Sequence, residues 1–437
     1  MRRLHAQLAA VAVVSLALPV TPALAEQPAG CTDESVPLTV EEQRLAEDVP
    51  QEILQRSGFD SAAPGFTRAL CGADSYGEAQ QAVTRHGQRL WQRAVDRAQG
   101  RGPADGDLSR ADDRPLYWAR LGMTGALRQW RPGFELSDAQ RTALRDQLER
   151  TSRGQDAISF PGGKDSGREG GKDGGTESGK DGGKDKGLKR VLVTGFDPFT
   201  LDEDIRISNP SGASALALDG AVVRTKAGRA RIETAMFPVR WADFARGTVE
   251  ETLWPHLPEV DLFTTVSQGR PGRFDVERYN GAWRGTFPDN DNISASGTIP
   301  VTDQSTQPQW TATTLPFRDI VSSPTGRFPV KDHTEVVEIP AGASEPVTRP
   351  DGPTDGSTAR EGGGGDYLSN EIAYRATLLR DRLGLNIPGG HVHTPVLEFG
   401  PGNTDPATGT ITDPQFLQNR RDIIEQVRSI VRVAAGH

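Results

Sequence analysis

The chain has 437 residues, too many for one typical domain, so two or three folded units are expected. Apolar residues make up 35% and the mean hydropathy is −0.53, which is low for one compact globule and points to polar unstructured stretches between folded ones. A formal net charge of −9 argues against nucleic acid as a partner.

The N-terminus reads as a secretory signal. Arg2, Arg3 and His5 precede the apolar run "LAAVAVVSLALPV" (Leu8–Val20), which is short for a bilayer span. Ala23-Leu24-Ala25 then offers a small-x-small cleavage site, so residues 1–25 are expected to be removed from an exported protein, with the cut near Ala25. A lone membrane anchor is disfavoured because proline and small residues follow at once. No later run is apolar enough for a membrane helix, so no membrane association is expected after cleavage. The only cysteines are Cys31 and Cys71. In an exported protein their default state is one disulfide. A reactive thiol is the weaker alternative, since neither cysteine adjoins a glycine-rich turn or a histidine.

Residues 26–155 read as a small helical domain. Thr39 with Glu42, and Ser137 with Gln140, have the spacing of capping boxes. "GEAQQAVTRHGQRLWQRAVDRAQ" places Ala79, Val83, Leu90, Trp91 and Ala94 near one helix face, with His86 as a surface or packing residue. Residues 156–187 read as a flexible linker. "GGKD" recurs at 162, 170 and 182, and six basic residues balance six acidic ones between Lys164 and Lys186. From 161 to 187 apolar residues are missing, and such a segment cannot offset the entropy of ordering.

From 188 to 437 the pattern changes. Val191-Leu192-Val193, "RIETAMFPVRW" and "VDLFTTVSQGRPG" are strand candidates, and "WADFARGTVEETLWPHL" lies between two of them with helical spacing. Alternating strands and helices predict an α/β domain with a mainly parallel sheet. Ligands in such sheets bind beyond the carboxyl ends of strands, which singles out "TGFDPF", "SQGRPGR" and "HVHTP". Residues 341–365 are rich in Pro, Gly, Ser and Thr and are expected to be a disordered excursion.

Two stretches could carry chemistry. In "GGHVHTP", His391 and His393 alternate and would share one face of a strand. Three readings are open: a zinc pair completed by His333 or an acid, hydrogen-bonded core histidines, or a general base. In "GDYLSNEIAYR", a helix begins near Ser369, with Ile372, Ala376, Leu379 and Leu383 on one stripe and Gly384 as its stop. Ser369 or Asn370 then stands at a helix N-terminus. That place suits an ordinary capping residue, and it equally suits a nucleophile whose developing charge the helix dipole favours.

Several collinear motifs now resemble one family. "VLVTGFDPF" with "NPS" (209–211), "FPVRW", "PEVDLFTTVSQGRPGR", "ER" (277–278), "PDN" (288–290), "TLPFRDIV", "YLSNEIAYR" and "GGHVHTPVL" together resemble the pyroglutamyl peptidase I family, over roughly residues 188–435. The resemblance implies a three-layer α/β/α sandwich and removal of an N-terminal pyroglutamate by a Glu, Cys and His set. It implies Glu277 as the acid and His393 as the base, and it puts Ser369 where the family has its cysteine. Phe196 and Phe199 would sandwich the lactam ring, and backbone near Gln268 would hydrogen-bond it. No cofactor and no metal are implied. His391 falls where the family has an aromatic residue. The loop from Phe199 to Asn209 is longer than usual, the glycine turn at 269–272 is rearranged, and the arginine expected before "PDN" is out of register, with Arg284 nearby. Two functional expectations follow. One is an exported Ser–His–Glu hydrolase acting on peptides with a blocked N-terminus. The other is a catalytically silent member that binds a peptide or another ligand in the same pocket.

Overall fold

The computed structural model describes residues 30–102, 106–160 and 187–437. The expected signal peptide at 1–25 and all but the ends of the expected linker lie outside the described residues.

The first region is helical: α1 (Val40–Gln43), α2 (Asp48–Ser57), α3 (Ala62–Cys71), α4 (Tyr76–Ala98), α5 (Arg114–Gln129) and α6 (Asp138–Ser152). Both capping boxes form. Glu42 N donates to Thr39 Oγ1 and Gln140 N to Ser137 Oγ, each at 3.2 Å, which satisfies amides that a helix start leaves unpaired. All five predicted face residues of α4 are buried. A disulfide joins Cys31 to Cys71 and ties the segment before α1 to the end of α3.

The second region has β1 (Lys189–Phe196), α7 (Pro210–Leu218), β2 (Val222–Thr225), β3 (Gly228–Phe237), α8 (Trp241–Ala245), α9 (Thr248–Leu253), β4 (Leu262–Gln268) and β5 (Phe274–Glu277). Next come β6 (Tyr279–Gly281), β7 (Trp283–Arg284), β8 (Gly297–Thr298), β9 (Trp310–Ala312), α10 (Phe317–Ser322) and β10 (Val330–His333). It ends with β11 (Val336–Ile339), β12 (Val347–Arg349), β13 (Thr358–Glu361), α11 (Leu368–Arg382), β14 (Gly389–Thr394) and α12 (Pro414–Ala434). The central sheet has the order β10-β5-β14-β4-β1-β3-β2. Strands β3, β1, β4 and β14 are parallel neighbours, and β10 is parallel to β5, whereas β5 is antiparallel to β14 and β2 to β3.

Side-chain alternation divides the sheet's two faces. Val191, Val193, Val266, Val276 and Val392 pack under α12, and Leu192, Phe237 and Phe263 pack under α11. On β14 this sends Val392 to the α12 side and His391 and His393 to the other. Two expectations are corrected here. The single helix read in "WADFARGTVEETLWPHL" is broken at Gly247, whose φ of 90° ends α8 and starts α9. The stretch expected to be a disordered excursion at 341–365 is instead ordered, supplying β12 and β13, which pair on either side of β11 in a small sheet. Its anchor is polar, which is why its composition concealed it. Buried Glu338 accepts from Arg349 Nε at 2.8 Å and from Thr354 N and Oγ1 at 2.6 Å each.

The helical and α/β regions share one core. Leu201, Leu216, Met236 and Ile411 belong to the same buried cluster as Phe66, Leu116, Trp118 and Leu144. The expected linker start at 156 also stays packed, with Ile158 and Phe160 buried beside Phe237 and Val260 in the core under α11. Among the described residues, no helix is long and apolar enough to cross a membrane.

Candidate active site

The carboxyl ends of β1 and β4 meet the start of α11 around a narrow cavity of about 30 Å³, lined among others by Phe196, Phe199, Ser267, Gln268, Tyr367 and Ser369. Two of the three predicted loops, "TGFDPF" and "SQGRPGR", thus line the cavity, and the start of α11 supplies the rest of the wall. Phe196 and Phe199 both face the cavity, as does Gln268.

Glu277 ends β5 and is fully buried. One oxygen lies 2.7 Å from His393 Nδ1 and the other 2.6 Å from His333 Nδ1. Burial alone would raise its pKa, but the hydrogen bonds from His333 and His393 outweigh it and hold the carboxyl well below the ordinary value. Glu277 is therefore ionised and fixes which nitrogen of His393 carries a proton. That leaves Nε2 as the free acceptor. In the sequence His333 is a candidate zinc ligand only. The parallel pairing of β10 with β5 sets it beside Glu277 instead.

His391 is a different case. Its Nδ1 lies 2.7 Å from Thr265 Oγ1 and its Nε2 2.9 Å from Ser267 Oγ. Both nitrogens are occupied by hydroxyls, which overturns the zinc-pair reading. Burial, and then the neighbouring His393 ring, hold His391 well below 6.5, so it is neutral.

Ser369 is not a cap. The residue before α11 is Tyr367, whose side chain makes no capping bond, and Ser369 is the second residue of the helix. Its hydroxyl donates to Gly364 O at 3.0 Å. Among the described residues no hydrogen bond joins it to His393. Asn370 is buried and pins the helix start to β6, donating to Gly281 O and accepting from Gly281 N, each at 2.9 Å.

The glycine run 362–365 threads between these groups. A Cβ on Gly363 would fall 2.0 Å from Glu277 Oε2, and one on Gly364 would fall 3.2 Å from His393 Cε1. Only glycine lets backbone approach the carboxylate so closely. Gly363→Ala is expected to lower stability by about 1–3 kcal/mol in urea unfolding. Gly133→Ala, whose new methyl meets nothing within 4 Å, should leave the midpoint in place. Equal midpoints for the two variants would refute this account.

Arg284 does not reach the cavity, because its fork closes on Glu371 with two contacts of 2.6 Å. Arg270, missed in the sequence, comes nearer. It bonds Asp275 at 3.1 Å and lies 3.8 Å from Glu277, with the side chain 41% exposed. A second missed feature lies behind the phenylalanines. Asp197, between Phe196 and Phe199, is fully buried and held by Arg120 and Arg153 of the helical region, the latter at 2.8 and 3.0 Å. Asn290 Nδ2 adds bonds to Pro198 O at 2.9 Å and to Glu41 Oε1 at 3.1 Å.

Fold and site define an α/β protein with a serine and a carboxylate–imidazole pair beyond its strand ends, walled from behind by a helical region. The chain belongs to the PA0049 family. The model described as the PA0049 N-terminal domain matches residues 23–149, and that described as the PA0049 C-terminal domain matches residues 190–304 and 328–398. The chain is 34% identical over 481 residues to the uncharacterized protein PA0049 of Pseudomonas aeruginosa, covering 87% of this chain and 83% of that one. Solved structures similar to it include the pyroglutamyl peptidase I of Bacillus amyloliquefaciens, with 20% identity and a TM-score of 0.40 over 57% of this chain and 96% of that one. The pyrrolidone carboxyl peptidase of Pyrococcus furiosus is also similar, with 22% identity and a TM-score of 0.37 over 56% of this chain and 97% of that one.

Proposed function

We propose that the protein is an exported hydrolase that removes pyroglutamate from peptides with a blocked N-terminus, using Ser369, His393 and Glu277. The observation that carries this reading is the Glu277–His393 pair at 2.7 Å, close to a small cavity that holds both Ser369 and the two phenylalanines. Flat apolar walls suit a five-membered lactam, which the cavity of about 30 Å³ admits once its side chains part.

Ser369 Oγ releases Gly364 O and attacks the carbonyl carbon while His393 Nε2 takes its proton. Glu277 holds the imidazolium through Nδ1–H. Free amides in the first turn of α11 face the developing oxyanion. His393 then protonates the leaving amine, and water, deprotonated by the same imidazole, hydrolyses the acyl-serine.

One observation favours the second reading, a silent binding protein: the Ser369 hydroxyl rests on Gly364 O rather than on His393. A fluorogenic pyroglutamyl amide decides between the two. On the hydrolase reading the wild type turns over, and Ser369→Ala loses roughly 10⁴–10⁶ in kcat. An inert wild type that gains activity as Ser369→Cys would sink the serine mechanism and leave the binding reading.

A further inference from the structure

Glu277 is shared between two imidazoles. The sheet order β10-β5-β14 sets β5 between two strands that carry histidines, and neighbouring strands lie about 4.8 Å apart. His333 is the direct register partner of Glu277 on β10, and His393 comes from β14 on the other side. The two rings approach different oxygens, His333 Nδ1 at 2.6 Å from Oε2 and His393 Nδ1 at 2.7 Å from Oε1. An ionised carboxylate only accepts, so both Nδ1 atoms carry protons and the tautomer is fixed at both rings.

The two oxygens differ in their alternatives. Among the described residues, His333 is the only side chain or backbone group that donates to Oε2. The glycine run closes over that oxygen, since a Cβ on Gly363 would fall 2.0 Å from it. Without the His333 N–H, a buried anionic oxygen loses its partner, which is costly. Oε1 is contested instead. Arg270 Nη1 stands 3.8 Å from it, on a side chain 41% exposed and free to move. A carboxylate released at Oε2 can turn about its last torsion, which is soft, and take the guanidinium fork with both oxygens. That rotation withdraws Oε1 from His393.

We propose that His333 is a positioning residue of the site: its Nδ1–H ties down Oε2 of Glu277, so that Oε1 stays on His393 Nδ1 and Nε2 remains the basic nitrogen. The effect on turnover rests on the hydrolase reading above, whereas the hold on Glu277 does not.

Two substitutions in the full chain test this. His333→Asn puts an amide N–H where Nδ1 stands, and His333→Phe keeps a ring without the donor. Should His333→Phe fail to fold, His333→Leu supplies a smaller side chain without the donor. One measurement is the downfield proton resonance of the His393 Nδ1–H, recognised by its absence in His393→Gln. The other is kcat and KM on the fluorogenic pyroglutamyl amide. His333→Asn should match the wild type in both. The donorless variant should lose the resonance and about a hundredfold in kcat at unchanged KM, the penalty for a catalytic group misplaced by about 1 Å. A histidine that only supports the fold would not divide the two substitutions in this way. A resonance kept in the donorless variant, or lost in His333→Asn, overturns the assignment and leaves the hydrolase reading standing. A wild type with the resonance but no turnover overturns the hydrolase reading, and the resonance in the two variants still decides whether His333 holds Glu277.

Discussion

Asp197→Ala is expected to lower the unfolding free energy by about 3–5 kcal/mol, the cost typical of breaking a buried ion pair from one side. The carboxylate and both guanidinium partners are almost wholly shielded from water, with Arg120 and Asp197 at 0% and Arg153 at 1% exposure. Burial raises the Asp197 pKa, yet Arg120 and Arg153 more than reverse this and hold it below the ordinary range. Removing the carboxylate strands the Arg120 charge in the interior and leaves Arg153 with Glu149 alone. The destabilisation comes from that uncompensated charge, not from any large net contribution of the pair. The triple change Asp197→Leu, Arg120→Met and Arg153→Leu should therefore recover most of the loss. Urea unfolding by circular dichroism reads both numbers. A cost under about 1 kcal/mol for the single variant, or no recovery in the triple, would refute the clamp. Because Asp197 sits between Phe196 and Phe199, ring binding should weaken in the same single variant.

Glu277→Gln is expected to lower turnover by about 10⁴, as an amide in place of a carboxylate favours the wrong imidazole tautomer and cannot balance the imidazolium. The effect should fall in kcat with little change in KM, since the ring pocket is untouched. The same substitution should alter stability against pH in a defined sense. The folded pKa of Glu277 lies below 4.5, so the ionised carboxylate stabilises the fold above that pH and loses this contribution as pH falls through and below it. Wild-type stability should therefore decline more steeply on the acid side than that of Glu277→Gln. Above pH 4.5 no step in the rate profile should belong to Glu277. Parallel acid limbs for the two proteins would contradict the assigned ionisation.

Local pattern was enough for the elements that carry these groups. The apolar run Val191–Val193 gave β1, and the stripe Ile372, Ala376 and Leu379 gave the buried face of α11. The alternation of His391 and His393 put both rings on one face of β14, because a strand repeats every two residues. What stayed hidden depends on distant pairing. His333 reaches Glu277 only because β10 lies beside β5, 56 residues apart in sequence. Periodicity carries no information about that neighbour. Arg120 and Arg153 carry no signal in the sequence, since nothing local says that Asp197 will be buried against them. Residues 341–365 looked unstructured because Glu338 organises them through hydrogen bonds, and composition measures only apolar supply. Gly247 lay in plain view, but one glycine inside a helical pattern is usually tolerated and here it is not.

The core shared by the two regions makes them one cooperative unit. Leu201, Leu216 and Met236 are buried in a cluster with side chains from the helices of the first region. Deleting those helices would expose a sticky apolar face and leave Asp197 buried without its counter-charges, so the α/β region expressed alone should aggregate rather than fold.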